Sequence, residues 1–296
     1  MRAPAMRRFG DSAAVGFAWV TSLLLLLGIG TLLAIVALRG GRTLGPALLF
    51  GETPWLEAVL GRAPVFGGLW PALVGTLALV GLASAMASVV GIAAGIHLSE
   101  YSSRRWRQWL GTSVDLLAGV PSVVMGLFGF SLILLLRRTL APEARTCLLL
   151  SAGCIAMLVL PYLIRTTQGA LQAVPNHVRL IGPSLGLTRW QNVRHVLLPV
   201  ASRGVLSGVM LAIGRAAEDT AAIMLTGAVA NAGLPRGVLE KYEALPFRIY
   251  VLGSEYRDAE ELAQGFGCTL VLLLLTAGLL GLALRLQRRM EKRWNR

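Results

Sequence analysis

Six apolar stretches, each long enough to cross a bilayer, decide what this chain can fold into. They lie near Val15–Leu38, Trp70–Leu98, Thr112–Leu136, Cys147–Ile164, Gly204–Leu225 and Gly267–Leu284. A helix needs about 20 such residues to span a hydrocarbon core of about 30 Å. In lipid, a helix satisfies every backbone N–H and C=O within its own segment. The expected fold class is therefore an all-α membrane protein of six transmembrane helices. Composition agrees: 55% of residues are hydrophobic, only 15% are charged, and mean hydropathy is +0.66. Soluble domains carry about 25% charged residues.

A net charge of +13 and a pI near 11 would suggest nucleic acid in a soluble protein. The placement of the charge argues for membrane lipid instead. Arg2, Arg7 and Arg8 precede the first span, and Arg104, Arg105 and Arg107 follow the second. Arg165, Arg179, Arg189, Arg194 and Arg203 follow the fourth, and a basic run from Arg285 to Arg296 ends the chain. All of these fall on one side, and the positive-inside rule makes that side cytoplasmic, with both termini there. The Arg137-Arg138 pair falls on the other side, as does the net acidic loop Thr226–Phe266. The first span exceeds the 7–15 residues of a signal-peptide core and reads as an uncleaved anchor. Cys147, Cys154 and Cys268 lie in or beside spans without metal-ligand spacing and read as core thiols. His97, His177 and His195 also lack metal spacing and are expected near the inner surface. No metal or cofactor is implied.

The organisation reads as an N-terminal transmembrane helix and outer loop over 1–66, a five-helix core over 67–286, and a basic cytoplasmic tail over 287–296. The loop Thr226–Phe266 is long for a bare connector and is expected to hold helices of its own. Asp258, Glu260 and Glu261 read as an acidic first turn beside a helix N-terminus. Between Arg165 and Arg203 the chain is too polar to span. It reads as one helical stretch over Val178–Leu187 interrupted by Pro183, and a second over Thr188–Leu198 closed by Pro199, which has no N–H to continue it.

Arg215 is the one basic residue left inside a span. A mid-bilayer arginine costs about 2.5–3.5 kcal/mol on insertion scales. Asp219 sits at i+4 and Glu218 at i+3, so on one continuous helix both would neighbour it. Two readings stand. Arg215 is the donor fork of an anion site whose acids release what it binds, or it belongs to a structural intrahelical ion pair. Thr220 and Thr226 are further hydroxyls, though membrane threonines commonly bond back to their own helix.

The segment Gly186…Thr188-Arg189-Trp190…Arg194-His195-Val196-Leu197-Leu198-Pro199 forms a short amphipathic helix. Val193, Val196 and Leu197 can face inward, and Arg189, Arg194 and His195 outward. Gly186 suits a backbone conformation that other residues resist. Periodicity alone leaves a helix docked in a partner's groove and a membrane-surface helix with Trp190 at the interface evenly matched.

Gly186-x9-Val196-x-Leu198-Pro199 resembles the second half of the EAA loop of importer-type ABC permeases. Gly67-Gly68-Leu-Trp-Pro71 through Leu77, Ser99-Glu100-Tyr101 and Leu117-Ala-Gly119-Val-Pro121-Ser122 through Gly129 are similar, in order, to stretches of phosphate-uptake permeases of the PstA type. So are Gly214-Arg215-Ala-Ala-Glu218-Asp219-Thr220 and Ala244-Leu-Pro246 through Tyr250. The resemblance covers roughly residues 67–286. It implies a type I ABC importer permease fold, a pathway for phosphate anion at Arg215, Glu218, Asp219 and Thr220, and coupling to an ATPase through Gly186, Arg189, Trp190, Arg194, Leu198 and Pro199. It also implies three partners: a second permease subunit, ATP-binding subunits and an extracytoplasmic phosphate-binding protein. The setting would be the bacterial inner membrane. The chain departs from the pattern where Glu-Ala-Ala is replaced by Leu180-Ile181-Gly182, and where Gly-Glu is replaced by Glu218-Asp219.

Gly119, Pro121, Ser122 and Gly126 in the third span read either as a gate or as close helix packing, because proline frees a carbonyl and glycine admits a neighbour. Asp115 reads as an acid at that span's N-terminus. The chain has no G-x4-G-K-[ST] loop and no nucleophile–base pair, so it is not expected to be an enzyme. Importers of sulfate, molybdate or phosphonate remain alternatives, as does an ATP-independent channel.

Overall fold

The computed structural model describes residues 3–63, 65 and 67–294, with side chains from Val15 onward except those of 64, 66, 286 and 290–294. The expected charges at Arg2, Arg7, Arg8, Lys292, Arg293 and Arg296 lie outside the described side chains. Thirteen α-helices follow in order among the described residues: α1 Ala3–Thr43, α2 Pro46–Phe50, α3 Trp55–Val59, α4 Trp70–Ile96, α5 Arg104–Ala118, α6 Ser122–Thr139, α7 Leu148–Gln172, α8 Asn176–Ser184, α9 Arg189–Asn192, α10 Leu198–Glu218, α11 Ala221–Thr226, α12 Leu245–Ser254 and α13 Ala259–Trp294. A π-turn, His97–Tyr101, extends α4, and a second, Val193–Leu197, joins α9 to α10. Six of these helical runs are long and apolar enough to cross a membrane.

The expected spans need three corrections. The third does not begin at Thr112. Gly119 ends α5, and Pro121 is the extended residue ahead of α6, which starts at Ser122. Residues 112–118 therefore close a separate amphipathic helix, and Asp115 stands in its last turn rather than at the start of a span. Pro199 does not close a helix. The preceding π-turn absorbs the register that a proline disturbs, so α9, the π-turn and α10 form one rod from Arg189 to Glu218. That rod then stops seven residues short of the expected Leu225: Asp219 is extended (φ −74°, ψ 119°), and α11 starts afresh at Ala221. Similarly, Pro183 lies in the last turn of α8 and does not interrupt it.

Small residues set the helix contacts, as expected where lipid offers no hydrophobic drive for association. The extensive α4–α7 seam runs parallel. A Cβ at Gly91 would come within 2.7 Å of Leu163 Cβ, and one at Gly95 within 2.6 Å of Thr167 Cβ. The α7–α10 seam is antiparallel, with Gly204 on Ala170 and Gly208 on Thr166. In α6, Gly126 lies against Ala222 of α11 and Gly129 against Thr226. The central core gathers Leu79, Ala83, Ile155, Val159, Leu163, Ala212, Ala216 and Ile223 from these helices. By contrast α1 packs mainly on α13 among the described residues. Gly40 meets Phe266 there, and the Arg39 guanidinium sits 5.2 Å from that ring's centre.

The long loop does hold structure. Tyr242 to Pro246 is buried and folds back onto the N-terminal ends of α4 and α7. Leu245 N–H donates to Thr76 Oγ1 at 2.9 Å, and Leu148 N–H to the Glu240 carbonyl at 2.9 Å. Asp258 accepts from the N–H groups of Glu260 and Glu261, so the expected acidic helix start is present. Sequence reading gave no role to Glu243, which is 3% exposed and accepts from Gly233 N–H at 2.9 Å. Burial pushes its carboxyl above the ordinary 4.5, with Gly233 and Arg248 partly opposing the shift. A raised carboxyl pKa favours the protonated fold. Its contribution to stability is full below about pH 4.5 and is lost as pH rises through the folded value. Glu243→Gln should therefore melt above the wild type at neutral pH, and the gap should close near pH 4, as read by thermal denaturation in detergent.

Candidate functional site

Two places carry the polar chemistry of the bundle, one halfway along it and one at the end that holds α8 and α9. The first is the break between α10 and α11. The α7–α10 register pairs Gly208 with Thr166. Seven residues further on, it sets Arg215 level with Val159, in the middle of α7's 25 residues. Arg215 is exposed on the bundle surface and makes no hydrogen bond or ion pair with Glu218 or Asp219 among the described residues. The i,i+4 pair expected from sequence is absent because the helix ends between its members. Asp219 is buried, 6% exposed, and turns away to accept Ala222 N–H at 3.0 Å as the N-terminal cap of α11. Glu218 is exposed beside Arg215, and Thr220 is half-buried in the break. Thr226 Oγ1 donates to Ala222 C=O at 2.8 Å and lies 2.9 Å from Ser151 Oγ, so its hydroxyl is used inside the fold.

The second place is built on α7's C-terminal end. Gly186 has φ +73°, the left-handed value its position was expected to need. Thr188 then starts α9 with a capping box to Gln191. Val193 and Leu197 are buried while Arg189, Trp190, Arg194 and His195 face out, as the periodicity indicates. Leu198 and Pro199 are half-buried at the head of α10. The buried side joins Ile96, Leu171, Val174 and Ala201 in a small apolar plug shared by α4, α7 and α10. Gly119 and Pro121 lie in the link between α5 and α6, while Ser122 and Gly126 lie on α6, and Gly126 is packed on α11.

Above the plug sits a clasp that sequence reading missed. Arg179 reaches both oxygens of Glu100, at 3.0 and 2.9 Å, and also donates to the carbonyls of Leu171 and Val174 at the end of α7. Its own carbonyl accepts from Asn192 Nδ2 at 3.1 Å. One guanidinium thereby ties the π-turn of α4, the end of α7, and α8 with α9. Both side chains of the pair are largely covered, with 24% and 13% of their surface exposed. Nearby, Arg165 forms a two-point pair with Asp115 and donates to the Gly111 carbonyl, fastening α5 to α7. The sequence marked Glu100 only as part of the Ser99-Glu100-Tyr101 resemblance, with no partner indicated. A pairing across 79 residues leaves no local pattern.

Residues 87–296 match the family described as binding-protein-dependent transport system inner membrane component. The phosphate transport system permease protein PstA of Haemophilus influenzae is 32% identical over 211 residues, covering 71% of this chain and 72% of that protein. PstA 1 of Mycobacterium tuberculosis is 31% identical over 224 residues, covering 74% and 69%. PstA of Mycobacterium leprae is 29% identical over 285 residues, covering 92% and 87%. Among solved structures, a bacterial ABC transporter involved in import of the acidic polysaccharide alginate aligns at TM-score 0.64 and 15% identity, over 96% of this chain and 99% of that one. The MetNI methionine transporter aligns at 0.59 and 17%, over 80% and 99%. These two likenesses concern the fold.

Proposed function

This chain belongs to the family of binding-protein-dependent transport system inner membrane components, and from that premise we infer how it works: it is the permease subunit of an ABC importer for inorganic phosphate. It is a multi-pass membrane protein. The observation that carries the mechanism is Arg215, a guanidinium halfway along the bundle, exposed and without a hydrogen-bond or ion-pair partner among the described residues. Such a group faces a cavity or an anion far more readily than hydrocarbon. Its planar fork matches two phosphate oxygens. Glu218, exposed one turn away, keeps the contact weak enough for release, and Thr220 adds a hydroxyl at the helix break. Asp219 serves the path indirectly, by holding α11 in place.

The α8–α9 end is the cytoplasmic end in this reading, with the N- and C-termini on the same side. The charge asymmetry of the loops supports it. ATP-binding subunits grip the outward face of Gly186, Arg189, Trp190 and Arg194, and Leu198 and Pro199 pass the motion into α10. A second permease subunit completes the path, and an extracytoplasmic binding protein delivers phosphate to the opposite end. The division of the chain into an N-terminal helix and loop (1–66), a permease core (67–286) and a basic tail (287–296) fits this assembly. ATP hydrolysis belongs to the partners, and the chain itself catalyses no reaction.

Proteoliposomes holding the assembled complex should take up radiolabelled phosphate, and unlabelled phosphate should compete far better than sulfate, molybdate or phosphonate. Stronger competition by one of those anions would reassign the substrate. Gly186→Val puts a β-branched side chain at φ +73°, a conformation costing about 1–2 kcal/mol for an L-residue. The variant should assemble yet lose most of the ATPase stimulation by loaded binding protein. Undiminished stimulation would remove the α8–α9 link from the coupling route.

A further inference from the structure

We propose that the groove between α4, α6 and α7 is a binding site for one anionic glycerophospholipid, its acyl chain in the groove and its phosphate on the arginines at the mouth. The groove holds about 760 Å³, within the range of about 300–1,000 Å³ found for ligand sites. Its walls are apolar for most of their length, with Val90 of α4, Phe128 and Leu132 of α6, and Gly153, Met157 and Leu160 of α7 among them. Only the mouth is charged. Arg145 lines it, in a loose and exposed ion pair with Glu143 at 3.7 Å, and Arg137, which donates to the Ala144 carbonyl, and Arg138 form the adjoining last turn of α6.

Its length identifies the occupant. Along α7 the groove runs from Cys147 to Leu160, about 20 Å at 1.5 Å per residue. It starts at the bundle rim and stops at the level of Arg215, halfway through. One leaflet's hydrocarbon is about 15 Å deep, half of the bilayer core. A partner helix would also follow the second apolar groove that continues along α4 past Val89, Ile92 and Ile96, whereas the charged mouth lies at this groove's own rim. A single acyl chain fits that depth and brings its headgroup to the mouth. Lipid tails gain little from apolar walls over bulk lipid, so selectivity falls to the arginines. Each adds roughly fivefold for an anionic lipid at the membrane surface. Assigning the site to the extracytoplasmic leaflet rests on the topology proposed above; the groove and its occupant do not.

Gly153 offers a clean test. A Cβ placed there meets nothing within 4 Å, so Gly153→Phe fills the groove without displacing the protein. The assembled complex, purified in mild detergent and supplemented with phosphatidylglycerol or phosphatidylcholine, would be examined by native mass spectrometry. Wild type should retain one phosphatidylglycerol per copy of this chain and prefer it over phosphatidylcholine. Gly153→Phe should lose it about tenfold or more at unchanged complex yield, since the chain no longer fits. Arg138→Gln with Arg145→Gln should cut the phosphatidylglycerol preference about twenty-fivefold. If Gly153→Phe fails to assemble, Leu132→Trp narrows the same groove from a half-exposed position. Equal lipid retention in the filled variants overturns the proposal. So does release of the second permease subunit with the lipid count unchanged, which would make the groove a subunit interface. None of these readouts depends on phosphate transport.

Discussion

Arg215→Ala should bring phosphate uptake down about 100-fold or more while leaving the protein in the membrane at wild-type abundance. The first half follows from what the guanidinium can do: charge-assisted hydrogen bonds are worth about 1.5–3 kcal/mol each, and a planar fork makes two. The second half follows from what it does not do. Arg215 is exposed and joined to neither neighbouring acid, so its loss leaves no buried carboxylate unpaired. It also removes an insertion cost of about 2.5–3.5 kcal/mol. Arg215→Lys, which keeps the charge without the fork, should fall between the two. Radiolabelled uptake read beside a membrane blot separates the cases. Normal uptake by the alanine variant would take Arg215 out of the path, and disappearance of the protein would make its role structural. Asp219 supplies the contrast. Asparagine caps helices as well as aspartate does, so Asp219→Asn should be nearly silent, whereas Asp219→Ala should cost about 1 kcal/mol of stability.

The second large effect is expected at Arg179. Alanine there frees Glu100 and two carbonyls of α7 at once. The site is partly wet, so the local loss is about 2–3 kcal/mol rather than the larger cost of a fully buried pair. That is enough to let α8 and α9 come away from α4 and α7. Transport should then fall about tenfold or more relative to ATP turnover in reconstituted complexes, and the link between α8 and α9 should become open to protease. Glu100→Gln keeps an acceptor and spares the α7 carbonyls, so it should be much milder. Equal and small effects of both substitutions would mean that the apolar plug alone holds the segment. The asymmetry between the two variants distinguishes a clasp that caps a helix from a simple ion pair.

The membrane helices were legible in the sequence because apolar length is a local property. So was the outward face of α9, since Val193 and Leu197 follow helical spacing. What escaped depends on where helices stop. Glu218 and Asp219 look continuous with α10, because no proline or glycine marks the break. Pro199 looks terminal because a sequence does not display the π-turn that accommodates it. Pro121 looks internal because apolar residues continue on both sides, yet it separates α5 from α6. The Glu100–Arg179 and Asp115–Arg165 pairs are long-range and needed the packed helices to be seen. Glu243 sits in a loop whose composition reads as solvent-exposed, and only its folding back onto α4 buries it.

On the coupling route proposed above, the unbroken rod from Arg189 to Glu218 would work as a seesaw. It meets α7 at Gly204 and Gly208, which have no side chains of their own and so let Ala170 and Thr166 come close. Taking Leu206 as the pivot, Trp190 stands about 24 Å to one side and Arg215 about 14 Å to the other. Pushing the Trp190 tip one way would swing the arginine the opposite way by a little over half the distance. Along that route, a stroke of a few ångströms imposed by the ATP-binding partners would reach Arg215 reversed in sense and reduced in size.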